Sequence, residues 1–397
     1  MRMGLLIGGI AAMALTASVA TAEELRIGYI NTLSGGAAIL GKEQLNGFML
    51  GMEHEGWKKD GDKLGGVPTR MVVGDDQRKP DVGLRTARKM LTSDKVHIVT
   101  GIIWSNVLMP IQRIVTRSGR IMLTTNAGAG PMAGKRCSKY FLATSFNNDQ
   151  FAESMGQLMT KEGVKSVYML APNYQAGKDM FAGFKRFYKG GKIVGQTLFK
   201  LGQNDFQAEI SKIRAAKPAA VFVFAPGGMG IALFKQWSAS GANDTIKLYS
   251  VAVVDWLTLK PIGAAAVGTY HTAPWKPEAD TPVNKRFIKD YTAKHGRHPS
   301  WYAAHGYDAP RVLAAALKKV GGKLDNLQAL SKALRHTPYP TIKETIAFNI
   351  NGVPIQNWYK REVVMGPDGK PMIKTTGIVM EKQKDTYWQS CPKAQRL

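Results

Sequence analysis

Two short apolar runs stand side by side between Val96 and Pro131, each closing in small or polar residues that lead toward a helix start. Val96-His97-Ile98-Val99-Thr100 has the β-branched content of a buried strand and ends at Gly101. Ile102-Ile103-Trp104 then leads to Ser105-Asn106, residues with helix N-cap chemistry, ahead of an amphipathic run over 107–116. Ile121-Met122-Leu123-Thr124 repeats the figure and ends in Thr125-Asn126-Ala127-Gly128-Ala129-Gly130-Pro131. Units of strand, loop and helix pack as a parallel sheet with helices on both faces. In such a sheet ligands bind beyond the carboxyl ends of the strands, where loop amides, hydroxyls and helix N-termini suit an anion. Either loop alone reads equally well as an ordinary turn. Together they could face one ligand.

The rest of the chain extends the pattern. Strands are expected over 25–30 and 67–73, with helices over 42–57 and 80–93, before the two junctions above. A second series follows: helix 148–162, strand 166–170, helix 176–188, strand 192–198, helix 205–216, strand 219–225, helix 229–240 and strand 246–251. The expected fold class is therefore α/β, with two tandem units carrying parallel sheets. A strand over 267–272 leads into the proline-punctuated Ala273-Pro274-Trp275-Lys276-Pro277, and helices over 282–295, 300–320 and 326–335 follow without an intervening strand. From Thr341 the signals turn to strands and tight turns, at Asn351-Gly352 and Pro367-Asp368-Gly369.

Met1-Arg2-Met3 precedes an uncharged run over 4–22 that closes in Ala20-Thr21-Ala22 before Glu23-Glu24, the form of a secretory signal peptide with an A-x-A cleavage site. The alternative is an N-terminal membrane anchor, but Gly8-Gly9 and Thr16-Ala17-Ser18 break an apolar core already short for a span. The remainder of the 397 residues is too long for one compact core and suits two domains. With 54 Lys and Arg against 29 Asp and Glu the chain carries +25, yet the basic residues are scattered among acidic ones. That is a solvated surface rather than a nucleic-acid footprint, and no nucleic-acid partner is expected. Two cysteines, Cys137 and Cys391, suggest one disulfide in an oxidising compartment; two separate buried thiols are the alternative.

Two motif-like stretches carry no chemistry on inspection. Gly36 to Lys42 matches G-x4-G-K between a strand and a helix, but Glu43 stands where a phosphate loop needs Ser or Thr. His295, His298 and His305 are spaced like metal ligands, but Pro299 intervenes without another ligand type, so a solvated loop is expected and no metal or cofactor. No G-x-S-x-G or H-E-x-x-H occurs, and no catalytic constellation stands out. Aromatic residues gather at loop positions instead: Trp104, Tyr174, Trp256 and Trp301-Tyr302. At strand ends in two facing domains they would wall an apolar cleft, the usual form of a small-molecule site.

In these stretches the chain resembles the solute-binding proteins of ABC importers, in the leucine/isoleucine/valine-binding family with the type I periplasmic binding protein fold. The resemblance rests on Ile27 through Gly35, Gly74-Asp75-Asp76, Gly101 through Ser105, Asp205-Phe206 and the looser Trp301 through Ala309. It implies two Rossmann-like lobes joined by three crossings, with lobe one as 23–145 plus 274–338 and lobe two as 146–273 plus 339–397. By position it assigns Ser105 to a ligand carboxylate, with backbone contacts at Ala127 and Gly128, and it adds Tyr174, Gly227 and Gly228 from the second lobe. Trp104 and Tyr302 are the candidate aromatic walls and Asn126 belongs to the loop beside Ser105. Ala252 occupies the position of the acid that pairs with an α-ammonium, which leaves an amino acid's cation unpaired unless Asp255 substitutes. The stretch 126–129 with Cys137 and Thr144-Ser145-Phe146-Asn147 looks like the branch that binds aromatic carboxylates.

The expected function is an exported, periplasmic, non-enzymatic monomer that delivers a small carboxylate to an inner-membrane ABC permease. An aromatic acid is the first choice and a branched-chain or other amino acid the second. An enzyme using the same cleft would need a catalytic dyad, and a receptor sensor would need a membrane span or signalling domain.

Overall fold

The computed structural model describes residues 23–344 and 346–397; the segment read as a signal peptide lies outside the described residues. In chain order the first half comprises β1 (Leu25–Asn31), α1 (Ala38–His54), β2 (Lys63–Leu64), β3 (Val67–Asp75), α2 (Pro80–Thr92), β4 (Ile98–Gly101), α3 (Ser105–Arg117), β5 (Ile121–Thr124), α4 (Gly130–Ala133) and β6 (Phe141–Ala143). After them come α5 (Asn148–Lys161), β7 (Ser166–Pro172), α6 (Gln175–Phe187), β8 (Lys192–Phe199), α7 (Gln207–Ala216), β9 (Ala220–Phe224), α8 (Gly228–Ala239), β10 (Lys247–Val251), α9 (Leu259–Ile262) and β11 (Tyr270–Ala273). The chain ends with α10 (Pro282–His295), α11 (Trp301–Lys319), α12 (Leu327–His336) and the strands β12 (Ile346–Phe348), β13 (Pro354–Met365) and β14 (Pro371–Gln383). Among the described residues no helix is long and apolar enough to cross a membrane.

Two sheets result, ordered β2-β3-β1-β4-β5-β6 and β12-β13-β11-β10-β9-β7-β8, with β14 paired to β13. In the first, β1 runs parallel to β3, with Tyr29 opposite Val73, and to β4, with Tyr29 opposite Thr100. Strands β4, β5 and β9 are buried along their whole length, because helices cover both faces of each sheet. This is why those runs read as continuously apolar. Edge strand β8 instead alternates between exposed and half-buried residues. In both sheets the chain order reverses beside the first strand of the unit, so the carboxyl ends of neighbouring strands leave a crevice there.

Several element ends differ from expectation for identifiable reasons. The first helix begins at Ala38 rather than Lys42. Helix α7 begins after Asp205, whose Oδ1 accepts the Gln207 amide at 3.1 Å and so caps the turn ahead of the helix. The strand expected from Val267 begins at Tyr270, because Gly268 has φ +80° and the Thr269 hydroxyl donates to the Ala266 carbonyl, which closes a turn. Glu43 is buried in α1, where its carboxylate accepts from Arg297 and from the Ser300 amide, bracing the start of α11. A solvated loop does not describe the histidines: His305 is fully buried in α11 against Phe146 and Trp301, and His298 stacks on Trp256 at 4.5 Å.

Helices α1 and α11 meet backbone to backbone, since a Cβ on Gly47 would overlap the Ala303 carbonyl. This fixes where α11 presents Trp301 and Tyr302. The chain passes between the two lobes three times, from β6 to α5, from β11 to α10 and from α12 to β12. Lys343, in the third passage, is buried and donates to the Thr144 and Ser145 carbonyls in the first, at 3.0 and 3.5 Å, and to Gln356 Oε1 at 2.8 Å. The residues after β14 return to the first lobe, where Cys391 is disulfide-bonded to Cys137 with Cα atoms 5.5 Å apart.

Candidate functional site

A narrow, tightly closed chamber lies between the strand ends of the two sheets. Three segments of the first lobe and its passage supply one wall. Ile103, Trp104 and Ser105 follow β4, Asn126 follows β5, and Phe146, Asn148 and Phe151 belong to the first passage and α5. Tyr174, Ala176 and Met180 from α6 and its cap, Phe224 and Pro226 after β9, and Ala252 after β10 supply the other. Trp301 and Tyr302 close the chamber from the start of α11. Its rings interlock: Tyr174 stacks near Phe224 with centroids 6.2 Å apart and planes at 18°, and Phe151 meets Trp301 edge-on at 5.4 Å. Such walls suit a planar apolar body. No Lys, Arg, Asp or Glu is among the lining residues.

The polar end is built around Ser105. It stands at the first helical position of α3, while Trp104 is the N-cap, so the expected capping role of Ser105 and Asn106 is corrected. The Ser105 Oγ accepts from Asn148 Nδ2 at 3.0 Å, which leaves its own O–H to donate. By helix geometry the Ser105 and Asn106 amides have no partner inside the helix, and the positive end of the macrodipole adds to them. A hydroxyl and open amides at a helix start, inside an apolar enclosure, can hold a carboxylate. The buried Trp104 indole N–H and the Asn126 Oδ1 have no hydrogen-bond partner among the described residues. Burial raises the phenol pKa of Tyr174 and of Tyr302, so both remain protonated.

Backbone strain lies at the same place. Ile102 has φ +67° and Ala252 has φ +55°, conformations that non-glycine residues seldom adopt and that cost about 1 to 3 kcal/mol each. The first turns the chain so that the Ile102 amide reaches the Ile30 carbonyl at 2.8 Å and the Ile102 carbonyl receives the Ala127 amide at 3.1 Å. The Ala127 amide is thus engaged internally, and the Gly128 amide donates to Asn148 Oδ1 at 3.3 Å. Neither residue is among those lining the chamber. Gly227 and Gly228 line a neighbouring space at the mouth of the cleft, on the far side of Pro226. Ser105, Trp104, Asn126, Tyr174, Ala252 and Tyr302 all line the chamber. Asp255 does not: its Oδ1 accepts from the Leu257 and Thr258 amides and caps its own turn.

Trp301, expected among the aromatic walls, also lines the chamber, and Asn148, Ile103, Phe146, Phe151 and Phe224 are lining residues not singled out as contacts. Asn148 is the most informative. Its Nδ2 donates both to Ser105 and to Asp179 Oδ2, the latter at 2.8 Å, and Asp179 also accepts the Gly130 amide at 3.0 Å. An acid cluster therefore stands directly behind the polar end. Burial, then the charge of Asp179, raises Asp149 to about 8, against the opposing pull of Tyr387 and Arg186. Burial raises Asp179 as well, and Glu153 to about 7. The open groove of about 1090 Å³ along α3 is a different surface, bordered by Arg113, Arg117, Lys135, Arg136 and Lys139 beside the disulfide.

Comparison with known proteins bears on this architecture. A periplasmic binding protein family model matches residues 24–370. The chain is 25% identical over 370 residues to Leu/Ile/Val-binding protein homolog 6 of Brucella melitensis biotype 1, covering 91% of this chain and 93% of that protein. An ABC transporter solute-binding protein of R. palustris, solved in complex with benzoate, superposes with a TM-score of 0.84 at 27% identity, covering 92% and 99% of the two chains. One from Rhodopseudomonas palustris BisB5, solved with 3,4-dihydroxybenzoic acid, gives 0.84 at 28% identity, covering 91% and 99%. With two α/β lobes around an enclosed chamber and a family match over most of its length, this chain belongs to the periplasmic binding protein family, in the type I, Leu/Ile/Val-binding group of ABC-transporter solute-binding proteins.

Proposed function

We propose that this chain captures an aromatic carboxylate between its lobes and hands it to the permease of an ABC importer. The observation that carries this reading is a chamber walled by aromatic rings, with one hydroxyl-and-amide end for an anion and no acid among its lining residues. An α-amino acid would bring an ammonium into the same space without a carboxylate to pair it, which is costly once water is excluded. The solved relatives bound to benzoate and 3,4-dihydroxybenzoic acid support the choice of ligand. The lobes are taken as 23–145 plus 274–338 and 146–273 plus 339–397, and the leader over 1–22 as the signal that sends the chain to the periplasm. The family is one of substrate-binding proteins, and the chain is read as acting without turnover, as a monomer.

A thermal-shift series tests the ligand class. At 100 times its dissociation constant a ligand adds about 2.7 kcal/mol, so benzoate at millimolar concentration is expected to raise the melting temperature by several degrees and leucine, isoleucine and valine by less. Displacement of bound benzoate by leucine at lower concentration would reverse the assignment. Ser105→Ala removes a hydrogen bond to a charged group and is expected to weaken benzoate binding by about 1.5 to 3 kcal/mol, roughly 10- to 150-fold by calorimetry. Unchanged affinity would take Ser105 out of the site.

A further inference from the structure

Beyond Trp104 and Pro226, which wall both spaces, a second space of about 240 Å³ opens at the mouth of the cleft. The first lobe contributes Gly36 and Ala37, Ile39 and Leu40 in the first turn of α1, and Arg78; the second contributes Gly202, Asn204 and Met229. Arg78 is the charged residue among those lining it. Its guanidinium lies over the Trp104 ring, 5.7 Å from the centroid, and reaches across the mouth to within 3.3 Å of where a Cβ on Gly202 would stand. It forms no ion pair among the described residues.

The backbone that aims Arg78 is unusually constrained. Gln77 and Arg78 have φ +52° and +60°, and each is held by an acid, the Gln77 amide donating to Asp75 Oδ1 and the Arg78 amide to Asp76 Oδ1, both at 2.8 Å. Asp76 is fully buried and bonded to Thr32. Strained backbone held in place by side-chain partners, one of them the buried Asp76, is a mark of a placed functional group rather than of a loop free to relax. Gly74-Asp75-Asp76 thereby acquires a task that the inner chamber does not require of it.

The inner chamber has no cation of its own, so an anion entering it must shed water before reaching Ser105. We propose that Arg78 and Trp104 form an outer capture site for the aryl carboxylate, Arg78 pairing with the anion at the mouth while Leu40 and Met229 receive its ring, before the acid moves past Trp104 to Ser105. This rests on the aromatic-acid reading above. A guanidinium suits it, being planar, always charged and able to stack on an indole while it pairs with a carboxylate.

Stopped-flow tryptophan fluorescence with benzoate tests the proposal in the parent, Arg78→Gln and Arg78→Lys, at low salt and at about 1 M, where charges are screened within about 3 Å. Arg78→Gln is expected to slow association about 5-fold at low salt, to leave dissociation unchanged, and to match the parent at high salt. Arg78→Lys should recover most of the lost rate. Equal association at low salt overturns the capture site. So does a loss carried by faster dissociation at both salt concentrations, which would make Arg78 only a brace between the lobes. If the parent binds no benzoate-type acid, the functional reading fails and the capture site with it; parent binding with unaltered association in Arg78→Gln removes the capture site alone.

Discussion

Replacing Lys343 by alanine is expected to lower stability by about 2 to 6 kcal/mol, the cost of leaving two buried acceptors without their charged donor. The side chain is 4% exposed, and its ammonium gathers acceptors from two separate passages between the lobes. Without it, the Thr144 carbonyl and Gln356 Oε1 lose their donor, at about 1 to 3 kcal/mol each, whereas Ser145 keeps a bond from Gln356 Nε2 at 2.9 Å. Burial has already pushed the lysine down to about 8, with Asp308 opposing. The charged form is therefore retained at pH 7 by its neighbours rather than by water. Urea denaturation reads the loss as a lower midpoint at an unchanged slope. Lys343→Met, which keeps much of the volume, separates the lost bonds from the cavity. An unfolding free energy within about 0.5 kcal/mol of the parent in both variants would show that water enters the joint and replaces the ammonium.

The parallel architecture was legible because both inner sheets are built from strands buried on two faces, such as β4 and β9, whose apolar runs stand out between amphipathic helices. The site was legible where one rule applied, that ligands sit at strand carboxyl ends. That rule and the loop aromatics lead to Trp104, Ser105, Asn126 and Tyr174, the family resemblance adds Ala252, and the folded chain brings all five to one chamber. The rule could not anticipate Asn148 or Phe151, because their orientation depends on how α5 packs across the joint between lobes. Nor could it tell an open amide from an occupied one. Ala127 loses its amide to Ile102 only because Ile102 turns into a left-handed conformation, and periodicity carries no signal for a single strained residue. The histidines failed for a related reason: spacing around Pro299 suggests a loop, yet α11 starts at Trp301 and takes His305 into the core.

Asp149→Asn is expected to stabilise the protein above pH 8 by a few kcal/mol and to leave it nearly unchanged at pH 5. Asp149 titrates at about 8 in the folded chain, far above the usual carboxylate range, chiefly through burial and then through the charge of Asp179. Glu153 and Asp179 are raised in the same direction. Between pH 4 and 8 the folded state thus holds more protons than the unfolded state, so stability falls as pH rises through this window. The contribution is fully present below about pH 4 and lost above about 8. The amide of asparagine imitates the protonated acid. Its oxygen can still accept from Arg186 and Tyr387, as Asp149 Oδ1 does at 3.2 and 2.8 Å. Its NH2 would stand where Asp149 Oδ2 has no partner, facing the Asp179 carboxylate across Gly130. Titrating groups remote from Asp149, such as the buried His271 and His305, change alike in both chains and cancel in the difference. Urea midpoints for the two proteins at half-unit steps from pH 5 to 9 should therefore diverge steadily, the variant above the parent. Parallel curves would mean that Asp149 is ionised throughout and that Arg186 and Tyr387, not a proton, hold its charge.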